Sequence, residues 1–162
     1  MLNFDIILAS ASPRRKAILS QVGLDFTIEA SKVNEDFSIS LPPKAFCEHW
    51  AREKAIDIAK GHSDKLIIGA DTIVIINDKI LGKPKSQNES FAMLKSLSGK
   101  THKVLTGVSL INLDLGIDFI FNESTDVSFC LLTDEEINKY IDEYKPYDKA
   151  GSYGIQDGFS VY

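Results

Sequence analysis

Leu66-Ile67-Ile68-Gly69-Ala70-Asp71 is a short apolar run that ends on a carboxylate. Four of its six residues are apolar and two of those are β-branched, the composition of a strand buried on both faces inside an α/β sheet. Asp71 stands at the exit of that run, and the carboxyl end of a buried strand is where open α/β sheets place their chemistry. The plainer alternative is that Asp71 caps the following turn. The strand continues through residues 72–76, and Asn77-Asp78 is a turn signal before residues 79–81, so the spacing predicts a hairpin.

Upstream, residues 4–9 read as a first strand. Ser10-Ala11-Ser12-Pro13 then turns the chain into a helix, with Ser12 as N-cap and Pro13 at the first helical position. That helix is predicted to carry Ala17, Ile18 and Val22 inward and to stop at Gly23. Residues 26–30 read as a second strand, and the polar loop 31–40 holds Glu35 and Asp36. Pro42-Pro43 opens a long helix that runs to Lys60.

Downstream, residues 86–97 have helical spacing, with Phe91, Leu94 and Leu97 three apart. Two β-type runs, 104–113 and 117–132, flank the turn Asp114-Leu115-Gly116. Thr133-Asp134-Glu135-Glu136 is a capping box that starts a helix reaching Tyr144. The tail, 148–162, is rich in Gly and aromatic residues and finishes in an alternating, strand-like run.

A chain of 162 residues, 44% hydrophobic and 25% charged, is long enough for one compact domain or two small lobes sharing a cleft. Its formal charge of -5 argues against a general nucleic-acid or anionic-membrane binder. No apolar run reaches the roughly 20 residues that span a bilayer, and residues 1–8 lack the basic start of a signal peptide. The expectation is a soluble, cytoplasmic protein without nucleic-acid or membrane partners. Cys47 and Cys130 define no disulfide framework and read as buried thiols in a reducing compartment. His49, His62 and His102 form no zinc-binding pattern.

Three basic features stand out. Ser10, Arg14 and Arg15 surround a strand-to-helix junction whose free N–H groups and dipole already favour an anion, so two guanidinium groups there make a phosphate clamp. An Arg pair in a first helical turn is otherwise a solvated face. On the helix that begins at Pro42, residues Phe46, Cys47, Trp50, Ala51, Ala55 and Ile58 form one apolar stripe, and Lys54 lies within it. Such a lysine either snorkels to water or reaches a polar cleft to neutralise phosphate. Lys83, between Gly82 and Pro84, is either a further cation of that cleft or an ordinary turn residue. Gly99-Lys100-Thr101 resembles the end of a P-loop, but Leu94 stands where that motif needs glycine. A dinucleotide fingerprint, a nucleophile elbow and a deaminase Cys/His set are also absent from the sequence.

Taken in order, six segments resemble the Maf family: Leu8-Ala9-Ser10-Ala11-Ser12-Pro13-Arg14-Arg15, Ala51-Arg52-Glu53-Lys54-Ala55, Gly69-Ala70-Asp71-Thr72-Ile73-Val74, Leu81-Gly82-Lys83-Pro84, Leu97-Ser98-Gly99-Lys100-Thr101-His102 and Asp148-Lys149-Ala150-Gly151-Ser152-Tyr153-Gly154-Ile155-Gln156. The resemblance covers nearly the whole chain. It implies a single Maf-like domain over 1–162, an α/β fold similar to the inosine triphosphate pyrophosphatases, with a mixed sheet flanked by helices and two lobes around a central cleft.

The resemblance also implies a nucleoside triphosphate pyrophosphatase, of the branch acting on dTTP and UTP, and a homodimer. The family is also described as septum formation inhibitors. Asp71 takes the role of general base, and Ser10, Arg14, Arg15, Lys54 and Lys83 hold the triphosphate. Glu35 and Asp71 bind a divalent cation, Mg or Mn. Arg14, Thr72 and Gln156 match the positions that distinguish substrates. The chemistry is coherent, because a triphosphate carries about four negative charges and needs cations to bind and to stabilise leaving pyrophosphate. An isolated Asp, with a pKa of about 3.9, is a weak base, and a metal that acidifies the attacking water makes it sufficient.

Two other readings stay open: a 7-methyl-GTP or other modified-nucleotide pyrophosphatase, and a nucleotide-binding regulator of cell division that does not hydrolyse. Two departures from the family pattern stand in the tail. Gln156 is followed by Asp157 where the family usually has glycine, and the sequence ends at Tyr162, short of the final segment that family members carry.

Overall fold

In the computed structural model, which describes residues 5–157, the 66–76 run is one continuous strand, and Asp71 is the sixth of its 11 residues. The elements, in chain order, are β1 (Ile6–Leu8), α1 (Pro13–Gln21), β2 (Thr27–Ile28), α2 (Pro43–Ala59), β3 (Leu66–Ile76), β4 (Lys79–Leu81), α3 (Gln87–Leu97), β5 (Thr101–Asn112), β6 (Ile117–Ser128) and α4 (Asp134–Tyr144). A short 3-10 turn follows at Ala150–Ser152. The strands form a mixed six-stranded sheet in the order β2-β1-β3-β5-β6, with β4 paired to β3. β1 runs parallel to both β2 and β3, while β4 returns antiparallel. This is the α/β class expected from the sequence.

The described chain divides into two compact units, 5–71 with 106–123, and 72–105 with 124–157. In the first, α2 buries the whole expected stripe, and Ile7, Ala9, Ala55, Ile58, Ala59, Ile67 and Ile111 form a core cluster. Two glycines let the helix backbone come close to the strands. A Cβ on Gly69 would lie 2.8 Å from the Cβ of Ala55, and one on Gly107 would lie 2.8 Å from the backbone N of Glu48. Contacts that short exclude any larger residue unless the backbone moves.

α1 departs from expectation. None of its residues is buried, and Ile18 and Val22 are 52% and 66% exposed. The helix instead turns Arg15 and Leu19 toward the interior; they sit four apart and share one face, which rotates Ala17, Ile18 and Val22 outward. The first two strands are also shorter than the apolar runs suggested.

In the second unit the predicted hairpin is present, and Asn77 and Asp78 both have positive φ, 48° and 60°. A two-residue turn with both central residues left-handed matches strand twist, which is why Asn-Asp closes it. α3 begins at the Ser86 cap, whose Oγ accepts the Glu89 N–H at 3.2 Å. The capping box of α4 is complete, with Thr133 N–H donating to Glu136 and Glu136 N–H to Thr133 Oγ1. α3 and α4 pack through Leu94, Ile137, Tyr140 and Ile141. β6 ends at Ser128, four residues short of the apolar run, where the chain turns so that Leu132 N–H bonds Ser98 Oγ at 2.7 Å. Cys130 follows that end and is exposed, against expectation, whereas Cys47 is buried; both are free thiols. Residues 148–157 form turns, and the strand-like run expected at the end of the tail falls on 158–162, outside the described residues. Among the described residues no helix is long and apolar enough to cross a membrane.

Candidate active site

The acid centre belongs to the first unit. β3 carries Asp71 into the interior, where the residue is 2% exposed. Lys54 reaches it from α2, with Nζ 2.7 Å from Asp71 Oδ1 and 2.6 Å from Glu35 Oε1. Lys54 therefore neither snorkels to water nor stands unpaired. Its ammonium joins two carboxylates, one from the strand and one from the loop before α2.

Lys54 occupies one oxygen of Asp71. The other, Oδ2, is buried and has no hydrogen-bond partner among the described residues. A buried carboxylate oxygen in that state is costly unless a ligand, a water or a cation meets it. Burial is the largest influence on the Asp71 carboxyl and pushes its pKa up, with Glu35 acting the same way; Lys54 and Arg15 oppose them. The result is a stronger base than a solvated aspartate.

Arg15 completes this group. Its Nη1 donates to Ser10 Oγ at 3.0 Å, and the same Oγ accepts the Ser12 N–H at 3.2 Å, so Ser10 organises the β1–α1 turn while orienting the guanidinium. Burial pulls the Arg15 pKa down, against the attraction of Asp71 and Glu35, and neighbouring Arg14 adds to the lowering. Two adjacent guanidinium groups at a helix start are electrostatically unfavourable on their own, and an anion would relieve both repulsions. Cys47 also feels Asp71, but burial above all pushes its thiol to about 11, so it is no nucleophile at neutral pH.

The two carboxylates suit a divalent cation. Among the described residues no group of three or more His, Cys, Asp or Glu side chains could hold a metal. Mg, however, is commonly held by one or two carboxylates with the remaining positions left to water and substrate phosphates. Glu35 and Asp71 already meet at one cation, the Lys54 ammonium, and two carboxylates that close fit that habit.

The remaining candidates lie in the second unit. Thr72 follows Asp71 on β3 and is half-buried, Lys83 is exposed in the loop after β4, and Gln156 is exposed in a turn of the tail. Gly151 N–H donates to the Gly82 carbonyl at 3.0 Å, which ties the tail to the residue before Lys83. Gly151 has a φ of +66° and packs on Val74, so a side chain there would meet both backbone strain and a steric block. The Ser152 hydroxyl bonds the Ser90 hydroxyl inside this unit. His102, buried, makes a 2.7 Å bond through Nε2 to the Tyr153 hydroxyl.

The structure thus brings Ser10, Arg15, Glu35, Lys54 and Asp71 into one constellation, with Arg14 beside it. Sequence reasoning missed the pairing of Lys54 with carboxylates and a second buried lysine, Lys149. The signal for the first was present: a lysine on an apolar stripe demands a counter-charge. The second sits in a Gly-rich tail with no periodicity to mark it as buried.

The fold is that of the Ham1 proteins. The structure of the Staphylococcus aureus Ham1 protein matches with a TM-score of 0.54 at 14% identity, over 76% of this chain and 71% of that one. A HAM1 protein from Coxiella burnetii matches with a TM-score of 0.53 at 15% identity, over 78% and 73%. More specifically, the sequence profile of the Maf-like proteins matches residues 5–162, and the chain belongs to the Maf family. It is 47% identical over 153 residues to the dTTP/UTP pyrophosphatase of Ruminiclostridium cellulolyticum, covering 94% of this chain and 79% of the relative. It is 46% identical over 157 residues to the dTTP/UTP pyrophosphatase of Halalkalibacterium halodurans, covering 97% and 81%.

Proposed function

We propose that the chain is a nucleoside triphosphate pyrophosphatase that hydrolyses dTTP and UTP between the α and β phosphates, giving the nucleoside monophosphate and pyrophosphate. Identities of 46–47% to relatives named for that activity support the substrate class. The observation that carries the mechanism is Asp71, buried, with one oxygen bonded to Lys54 and the other without a partner.

In this reading Asp71 Oδ2 takes the proton of the attacking water. Lys54 fixes the carboxylate through Oδ1 and, with Ser10, Arg14, Arg15 and Lys83, holds the triphosphate, the four cations offsetting its charge. Arg15 is held by Ser10 before substrate arrives, so little reorganisation is needed at that contact. Glu35 and Asp71 would hold the divalent cation, Mg or Mn. When bound, such an ion lowers the pKa of water and offsets charge on the leaving pyrophosphate. Arg14, Thr72 and Gln156 discriminate the base. The family resemblance further supports a homodimer working in the cytoplasm.

The test is a panel of nucleotides with Mg or Mn, read for pyrophosphate. The expected result is pyrophosphate from dTTP and UTP, and a loss of kcat of about a thousandfold in Asp71→Asn, the scale of removing a positioned general base. Release of orthophosphate alone, or undiminished turnover in the variant, would overturn the proposal. A preference for 7-methyl-GTP would move the chain to the other substrate branch, and tight binding without turnover would mark a regulator.

A further inference from the structure

The tail of the second unit is fastened by one carboxylate. Lys149 is 8% exposed, and its Nζ lies 2.9 Å from Asp157 Oδ2. The Tyr140 hydroxyl, on α4, donates to the same oxygen at 2.5 Å and accepts the Gly154 N–H at 3.1 Å. Asp157 N–H closes the loop on the Gly154 carbonyl at 3.0 Å. The result is a four-residue turn, Gly154 to Asp157, whose two central residues, Ile155 and Gln156, are exposed.

Two of these bonds, those from Lys149 and Tyr140, end on the Asp157 carboxylate. Without its carboxylate, a buried ammonium stands without this counter-charge and a buried phenol loses its acceptor, both costly inside a protein. Burial raises the Tyr140 pKa, and the Asp157 carboxylate raises it further, so the phenol keeps the proton it donates. Gly154 makes room for the arrangement, since a Cβ there would lie 2.9 Å from the Asp157 carboxylate.

We propose that Asp157 is a positioning residue for base selection: clamped by Lys149 and Tyr140, it holds the turn that presents Gln156 to a pyrimidine. The inference rests on the functional reading above, in which Gln156 meets the base. A primary amide offers a donor and an acceptor side by side, the complement of the N3–H and O4 of uracil or thymine. A two-point contact of that kind selects only if its backbone is held, because a mobile turn lets the amide follow the edge of cytosine as well. This chain fastens the turn with a side chain, that of Asp157.

The test compares the wild-type chain with Asp157→Gly, Asp157→Asn and Tyr140→Phe, measuring kcat and KM for UTP and CTP together with Tm. Asp157→Gly is expected to raise the KM for UTP and lower the UTP/CTP ratio of kcat/KM, each by about tenfold, while kcat stays within about twofold. Asp157→Asn keeps an acceptor for Tyr140 but not the charge for Lys149 and is expected to fall between. Tyr140→Phe retains the ring and removes both hydroxyl bonds, so it carries the test if Asp157→Gly fails to fold. A lowered Tm with an unchanged UTP/CTP ratio in the folded variants would overturn the inference and leave Asp157 a structural residue. Wild type that turns over neither dTTP nor UTP would overturn the functional reading, and this inference with it.

Discussion

Replacing Lys54 with methionine keeps the length and most of the packing of the side chain but deletes the ammonium that joins Glu35 to Asp71. Asp71 has a side chain only 3% exposed, so its charge cannot turn to water, whereas Glu35, at 20%, is closer to solvent. Removing one partner of a buried ion pair costs about 3–5 kcal/mol, because it strands the other charge. Protonation sets the ceiling. Taking up a proton on a carboxyl whose ordinary pKa is 3.8 costs about 5 kcal/mol at pH 7.5 and about 1.6 kcal/mol at pH 5. Arg15 still attracts Asp71 in the variant, which places the expected loss near the lower figure, about 3 kcal/mol at pH 7.5.

The sign follows from linkage. In Lys54→Met the folded Asp71 holds its proton to higher pH than the unfolded chain does, so the variant gains stability relative to wild type as pH falls toward the ordinary carboxylate range. Urea unfolding at pH 7.5 and pH 5 measures both values. The gap should shrink from about 3 to no more than about 1.6 kcal/mol, and adding Asp71→Asn to Lys54→Met should recover most of it. A gap below about 1 kcal/mol at pH 7.5, an equal gap at both pH values, or no recovery in the double variant would refute the reasoning.

Gly69→Ala should lose about 1–3 kcal/mol of stability by urea unfolding, because its Cβ would meet the backbone of α2 as well as the Ala55 side chain; a neutral result would mean that α2 does not pack this closely on β3. His102 is held below its ordinary pKa of 6.5 by burial, so below that pH the unfolded chain takes a proton that the folded chain refuses. Stability should therefore fall with pH below about 6.5, by up to about 1.4 kcal/mol per unit, and His102→Gln should remove that slope in unfolding curves at pH 6.5 and pH 5.5.

Much of this fold is legible where one local signal suffices. The stripe from Phe46 to Ile58, the Asn77-Asp78 turn and the Thr133 capping box each carry their own periodicity or turn chemistry, and the structure realises all three. Signals that depend on a neighbour were harder to read. α1 has apolar residues on one face and arginines on another, and only the acid centre decides that the arginine face turns in. Asp71 stands where the apolar run pauses, and the β-branched residues beyond it carry the strand on to Ile76, as their composition indicates, so the acid lies mid-strand and not at the strand's carboxyl end. Glu35 lies 19 residues before Lys54, in a loop without periodicity, so nothing local announces their pairing. Lys149 and Asp157 are closer, eight apart, yet they meet through a glycine-rich bend that no repeat would reveal.

The acid centre depends on small residues as much as on charged ones. Gly69 and Asp71 are two apart on β3 and therefore point to the same face of the strand. On α2, Ala51 and Ala55 are one turn apart and flank Lys54, and it is against their backbone and methyl groups that Gly69 packs. Gly107 does the same on β5, one helical turn earlier, against Cys47 and Glu48. Two glycines on two strands thus fix how close α2 lies, and that closeness sets the reach of Lys54. A helix held even one methyl group further out would stretch the 2.7 Å contact to Asp71, or force the lysine from its preferred rotamers. Gly69 therefore acts on Asp71 at a distance, by letting α2 bring Lys54 within reach of the carboxylate, and the Gly-Ala-Asp sequence acts as a unit.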